Sequence, residues 1–93
     1  MATVYEAVEA RTKEIHSESE LLEIGGVTTS PKMTQGIVYY KRPRDFSDDG
    51  FEYIIHTFFV RDGDEVATFE VGDYIFDKET ADAKFKLRSE RGY

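Results

Sequence analysis

The run FEYIIHTFFVR, residues 51–61, constrains this chain more than any other stretch. It is aromatic and β-branched almost throughout and contains neither Gly nor Pro, the composition of a pleated and largely buried strand. Asp62-Gly63 follows directly, then EVATFEV over residues 65–71. Asp-Gly between two apolar runs is a preferred two-residue hairpin turn, because glycine accepts the positive φ that the turn demands. Such a turn pairs Arg61 with Asp64, which sets Val60 opposite Glu65, Phe58 opposite Ala67, His56 opposite Phe69 and Ile54 opposite Val71. These even-numbered strand positions and their partners form a nearly apolar face. The opposite face pairs Phe59 with Val66, Thr57 with Thr68 and Ile55 with Glu70, a mixed surface suited to solvent or partial cover. A slip of one residue would exchange the faces of the shifted strand, so the apolar side is expected to be the core. At Gly72 the alternation changes phase, with Tyr74 and Phe76 on the opposite parity to Phe69 and Val71. One inserted residue at Gly72-Asp73 restores the face, so a bulge or sharp bend is predicted there.

The core face needs a cover, and the N-terminus supplies one. Thr3-Val4-Tyr5-Glu6 fits a capping box, in which the threonine hydroxyl accepts from the amide at Glu6 and the Glu6 carboxylate reaches back. Val4, Val8 and Ile15 then recur at helical spacing, and Glu9 with Lys13 makes a favourable i,i+4 pair. The spacing predicts a helix over 4–16, continued by a short second helix over 17–24 that Gly25-Gly26 ends. Residues 27–35 read as a loop or a poor strand. Residues 37–42, IVYYKR, form a strand that Pro43 stops. Residues 77–83 read as a turn or one helical turn. KFKLR, residues 84–88, reads as a strand, since Phe85 and Leu87 stand two apart; a helix is the alternative. The expected fold is α+β, with an N-terminal helix packed on one face of an antiparallel meander sheet of about four strands.

With 93 residues the chain is expected to form a single domain, 1–93, with one modest core and little room for an enclosed substrate pocket. There is no cysteine, which excludes disulfides, zinc–thiolate sites and thiol nucleophiles. The charged N-terminus has no apolar h-region, and no apolar run approaches the ~20 residues that span a bilayer, so a cytoplasmic protein with no membrane partner is expected. The formal net charge is −7. Its acids concentrate in the first third, where Glu6, Glu9, Glu14, Glu18, Glu20 and Glu23 stand against Arg11 and Lys13. Such a field repels nucleic acid and favours basic protein surfaces.

No constellation for catalysis emerges, and neither a metal nor a cofactor is expected. His56 falls on the core face and reads as a buried structural histidine. His16 with Glu20 is a two-ligand pair, too few for a metal. The loops around Asp45, Asp48 and Asp49 and around Asp62, Asp64 and Glu65 sit at opposite ends of an eleven-residue strand, roughly 30 Å apart at ~3.3 Å per residue, so they cannot share a calcium ion. Lys84, Lys86 and Arg88 form a cationic stripe if the last segment is a strand, a device that protects sheet edges.

Three functional readings follow. The favoured one is a non-enzymatic binding module that offers the carboxylates of Glu6, Glu9, Glu14 and Glu18 to a partner protein with a basic surface. In its sharpest form the module is an inhibitor, mimicking nucleic acid towards a protein that handles it. The alternative is a structural subunit that assembles as a homodimer through Tyr53, Ile55, Phe59 and Val66 on the second sheet face. A second alternative is single-stranded nucleic-acid binding through Tyr40, Lys41, Arg42 and Arg44, which combine aromatic and cationic groups. Alternation sends Tyr39 and Tyr40 to opposite faces and the net charge is unfavourable, so this last reading ranks below the others.

Overall fold

In a computed structural model that describes residues 2–93, the chain runs α1 (Val4–Ile15), β1 (Glu20–Thr29), β2 (Met33–Pro43), β3 (Phe51–Arg61), β4 (Thr68–Ile75) and α2 (Lys78–Arg91). The four strands form one antiparallel sheet in the order β1-β2-β3-β4, a simple meander. Each helix covers one face, so the α+β meander read from the sequence is the fold, with a second helical layer added.

The N-terminal cap forms as the sequence requires. Thr3 Oγ1 accepts from Glu6 N at 3.1 Å, and Thr3 N donates to Glu6 Oε1 at 2.9 Å. Ala7, Val8 and Thr12 then turn inward at helical spacing, against Val38, Tyr40, Ile54, Phe58 and Val60. Full burial of each large apolar side chain in that cluster contributes about 1.5–3 kcal/mol. The expected Glu9–Lys13 pair is absent among the described residues. Lys13 Nζ instead donates to the Ser19 carbonyl and closes the turn out of the helix.

The segment expected to be a second short helix is strand β1. A helix of eight residues is marginal without tertiary support, and pairing with β2 supplies a complete ladder instead. Strand alternation packs Leu21 on the α1 side and Leu22 on the α2 side, and a register shift between Leu21 and Glu23 interrupts the ladder there. Gly25-Gly26 lies within β1 and does not end it. A Cβ on Gly25 would stand 2.5 Å from Ser89 Oγ, and one on Gly26 would stand 2.7 Å from the Ser89 carbonyl oxygen. The glycines are the seat on which α2 approaches the edge strand. Residues 27–35 likewise complete β1 and begin β2, with Ser30 and Met33 closing the turn.

The β3–β4 ribbon keeps its predicted faces but is offset by two residues. Phe58 pairs with Phe69, and Phe59 with Thr68. Asp64 Oδ2 accepts from Arg61 N at 2.8 Å, and Ala67 N donates to Ala7 O at 3.0 Å, so residues 64–67 leave the ladder and dock on α1. A shift of two preserves parity, which keeps Phe58, Ala67 and Phe69 on the α1 side. Val71, expected beneath the helix, is 74 % exposed. The predicted bulge is present one position early. Thr57 pairs with Glu70 and Ile55 with Asp73, leaving Val71 and Gly72 opposite His56.

The largest correction concerns the C-terminus, where residues 84–88 are helical and no cationic stripe forms. Asp77 caps α2 by accepting from Thr80 N at 2.9 Å, and Gly92 ends it in the left-handed conformation. Ala81, Phe85 and Arg88 form the buried stripe. They bury the second sheet face, including Ile37, Tyr39, Tyr53 and Ile55. Tyr53 and Ile55 are therefore core residues and cannot line a dimer interface. Arg88 is 1 % exposed and donates to Ile55 O, Asp73 Oδ2 and Thr57 Oγ1, where the bulge interrupts the ladder.

Candidate protein-binding site

The surfaces named from the sequence are largely spent on structure. Glu6 serves the α1 cap, which holds its carboxyl below the usual carboxylate range through the Thr3 backbone and hydroxyl hydrogen bonds. Glu14 receives Arg11 at 2.9 Å. Glu18, Glu20 and Glu23 lie beyond the helix, and Glu20 faces Lys41 at 3.9 Å. The carboxylates of the N-terminal third therefore form no single array on α1. Phe59 is half-buried on β3, and Val66 sits in the loop that docks on α1.

The cationic segment is equally committed. Tyr40 is fully buried, and burial raises its phenol far above the ordinary tyrosine value. Arg42 and Arg44 converge on Glu52 Oε1 at 2.6 and 3.1 Å, with the Glu52 side chain nearly buried. Lys41 Nζ lies 4.0 Å over the Phe51 ring. Tyr39 and Tyr40 do face opposite layers, so no stacking platform exists here.

Exposed aromatics meet at the end of the sheet where the β2–β3 loop approaches the start of α2. Phe46 in that loop is 75 % exposed and Phe76, just past β4, is 45 % exposed. Their rings pack at 5.3 Å, tilted by 59°. Tyr74, two residues before Phe76, is also exposed. A shallow recess of about 350 Å³ lies between the two segments, lined by the two phenylalanines with Ser47, Asp48, Asp49, Asp77 and Lys78. Exposed aromatics placed together and rimmed by charge are the usual anatomy of a protein-contact surface.

The carboxylates around this end are fixed in place. Asp49 accepts from Tyr53 Oη at 2.5 Å, Ser47 Oγ at 2.9 Å and Phe51 N at 3.0 Å. The Tyr53 hydroxyl is the main cause that holds Asp49 below the usual carboxylate range. Asp82 is lowered in the same way by the Tyr39 hydroxyl, at 2.6 Å, and by Lys78. Asp77 accepts from both the backbone and the hydroxyl of Thr80, which lower it. Two core tyrosines thus brace surface aspartates that stay ionised across the physiological range. Among the described residues no group of three or more potential ligands is arranged to hold a metal ion, and no helix is long and apolar enough to cross a membrane.

Comparison with family models, curated proteins and solved structures returns no match.

From the sequence Phe46 is a loop residue, whereas Phe76 is a strand residue that a bulge at Gly72-Asp73 returns to the core face; in the structure Phe76 lies just past β4 and is 45 % exposed. The available signal was Phe46 standing alone in RDFSDDG, an aromatic in a segment otherwise built for solvent. That the loop meets Phe76 depends on where β4 ends and α2 starts, which no local pattern reveals.

Proposed function

We propose that this protein is a non-enzymatic binding module whose aromatic, acidic end grips an arginine-bearing surface of a partner protein. The observation that carries the reading is the exposed Phe46–Phe76 pair set beside the braced carboxylates of Asp49 and Asp77. A guanidinium is weakly hydrated, stacks on aromatic faces and donates a bidentate pair of hydrogen bonds to a carboxylate. A recess with ring faces on one side and fixed aspartates on the other meets all three properties. Bracing also lowers the entropic cost of binding, because the aspartates need not be ordered by the partner. The net charge of −7 adds long-range attraction to a basic partner.

The test is a nuclear magnetic resonance titration of the whole chain with a tetra-arginine peptide, and with tetra-lysine as the comparison. Expected are shifts confined to residues 46–49 and 74–78, tighter binding by arginine than by lysine, and an affinity lowered about tenfold or more by raising salt from 50 to 500 mM. A Phe46→Ala/Phe76→Ala variant should lose the response while keeping its fold. Shifts spread evenly over every acidic residue, or equal responses to the two peptides, would refute the assignment.

A further inference from the structure

His56 projects from β3 into the α1-side layer and is 7 % exposed. Its ring is stacked between Tyr40 at 5.8 Å and Phe69 at 5.1 Å, with Tyr74 edge-on at 5.8 Å. Neither ring nitrogen makes a well-formed hydrogen bond within the protein, and the polar group that acts on the ring from the β4 backbone is that of Glu70. An imidazole packed this way is stable neutral and costly when charged. The β4 bulge closes directly over it: a Cβ on Gly72 would meet His56 Cε1 at 2.7 Å. Beside Gly72, Val71 has φ +46, a left-handed conformation that a β-branched side chain resists. A strained bulge on an edge strand thus sits on a buried, poorly partnered base.

We propose that His56 is a proton-operated latch for the outer half of β4: the Val71–Gly72 bulge stays closed over the neutral ring, and protonation releases Asp73–Ile75. The charged groups around the ring agree with this. Burial is the main influence holding His56 below its ordinary value. Arg88 from α2 and Arg11 from α1 add to it, while the Glu70 backbone and the Asp73 carboxylate on β4 act the other way. The Tyr40 phenol from β2 is itself kept neutral and offers no counter-charge. Opposing release is the Arg88–Asp73 ion pair at 3.0 Å, which ties β4 to α2. The window therefore opens near the ordinary histidine value of about 6.5, reached once the ring is in water, and extends down towards the lower native value.

The consequence for binding rests on the reading of Phe76 given above, because the released segment carries Tyr74 and leads into Phe76. The latch itself does not depend on that reading, and its test needs no ligand. Amide exchange of the whole free chain, corrected for intrinsic rates, is to be followed from pH 7.5 to 4.5. Ladder-bonded amides of Asp73–Ile75 are expected to lose protection by up to about tenfold per pH unit below about 6.5, while those at the centre of β2 and β3 hold theirs. In His56→Phe, which keeps an aromatic ring between Tyr40 and Phe69, the pH dependence should vanish. Unchanged protection in the native chain, or the same loss in His56→Phe, would overturn the proposal. If that variant fails to fold, the imidazole resonances of the native chain decide. The proposal requires Tyr74 and Phe76 signals to move with the ring titration, and a ring that titrates while they stay still overturns it. Loss of the latch would leave arginine binding at neutral pH intact, so the two readings fail separately.

Discussion

Arg88 Nη2 donates to Thr57 Oγ1 at 2.7 Å, joining the last turn of α2 to the inner strand β3. The same guanidinium takes Ile55 O at 3.2 Å and Asp73 at 3.0 Å. One side chain therefore satisfies acceptors on two strands at the place where their ladder is broken by the bulge. The aliphatic stem fills the helix–sheet interface and the fork supplies hydrogen bonds that the interrupted ladder cannot. Arg88→Ala should cost about 3–5 kcal/mol, since it strips a buried charge from its partners and leaves a void. Arg88→Lys retains the charge but not the fork, and should cost less. Urea denaturation measures both, and a loss under ~1 kcal/mol for the alanine variant would show that the network contributes little.

The glycine seat in β1 makes a graded prediction. Gly26→Ala meets the Ser89 backbone at 2.7 Å and must hold φ +57, so neither the neighbour nor the residue itself can relax easily. Gly25→Ala meets Ser89 Oγ at 2.5 Å, a side-chain atom that can move. Gly63→Ala, at φ +84 with nothing within 4 Å, carries backbone strain alone. Thermal unfolding should rank the losses in that order, with overpacking costing roughly 1–3 kcal/mol. Ser89→Gly should rescue much of the loss in Gly25→Ala, little of it in Gly26→Ala, whose clash is with the Ser89 backbone, and none of it in Gly63→Ala.

How far these contacts could be read in advance differs by element. Capping chemistry is local, so Thr3 and Glu6 declared the start of α1 without ambiguity. The faces of β3 and β4 were legible because strand period is two, and an offset of two residues leaves them unchanged. The offset itself was hidden, since it depends on Ala67 donating to Ala7 O, a bond between segments distant in sequence. Helix α2 was hidden for another reason. Its inward stripe of Ala81, Phe85 and Arg88 ends in a charged residue, while KFKLR happens to alternate. Glu20–Thr29 lacks clean alternation because register shifts between Leu21 and Glu23 and between Gly25 and Thr28 break the period of two. At the candidate site, the surplus of aromatics was visible in composition, but which of them stay outside is decided by α2, and α2 was the element misread.

Alkaline behaviour follows from three core phenols. Burial and the Asp49 carboxylate push Tyr53 up to about 12. Tyr39 is raised further by burial and by Asp82, and Tyr40 by burial. An unfolded tyrosine ionises near 10. The native state thus holds protons that the unfolded chain gives up, so this contribution is complete below about pH 10 and is lost as pH rises towards the native values. Absorbance and circular dichroism followed together should show these phenols ionising only as the fold is lost, above about pH 10. Tyr53→Phe removes one such proton and should flatten the fall of stability in that range. Early ionisation of the three phenols with the fold intact would contradict the packing described here.

Val71 offers a way to strengthen the edge of the sheet. Its side chain is 74 % exposed, so little packing is lost by changing it, whereas φ +46 penalises the branched Cβ by about 1–2 kcal/mol. Asparagine tolerates the left-handed region and retains the backbone restraint that glycine lacks. Val71→Asn should therefore stabilise the chain by roughly 1 kcal/mol, and Val71→Gly by less, because glycine gains freedom in the unfolded state. Both substitutions relax the bulge without touching His56, so in urea denaturation at pH 7.5 they should raise the midpoint with an unchanged slope. If instead either variant lost more than ~1 kcal/mol, the valine side chain would be making a contact that holds β4, and strain would not be the dominant feature of the bulge.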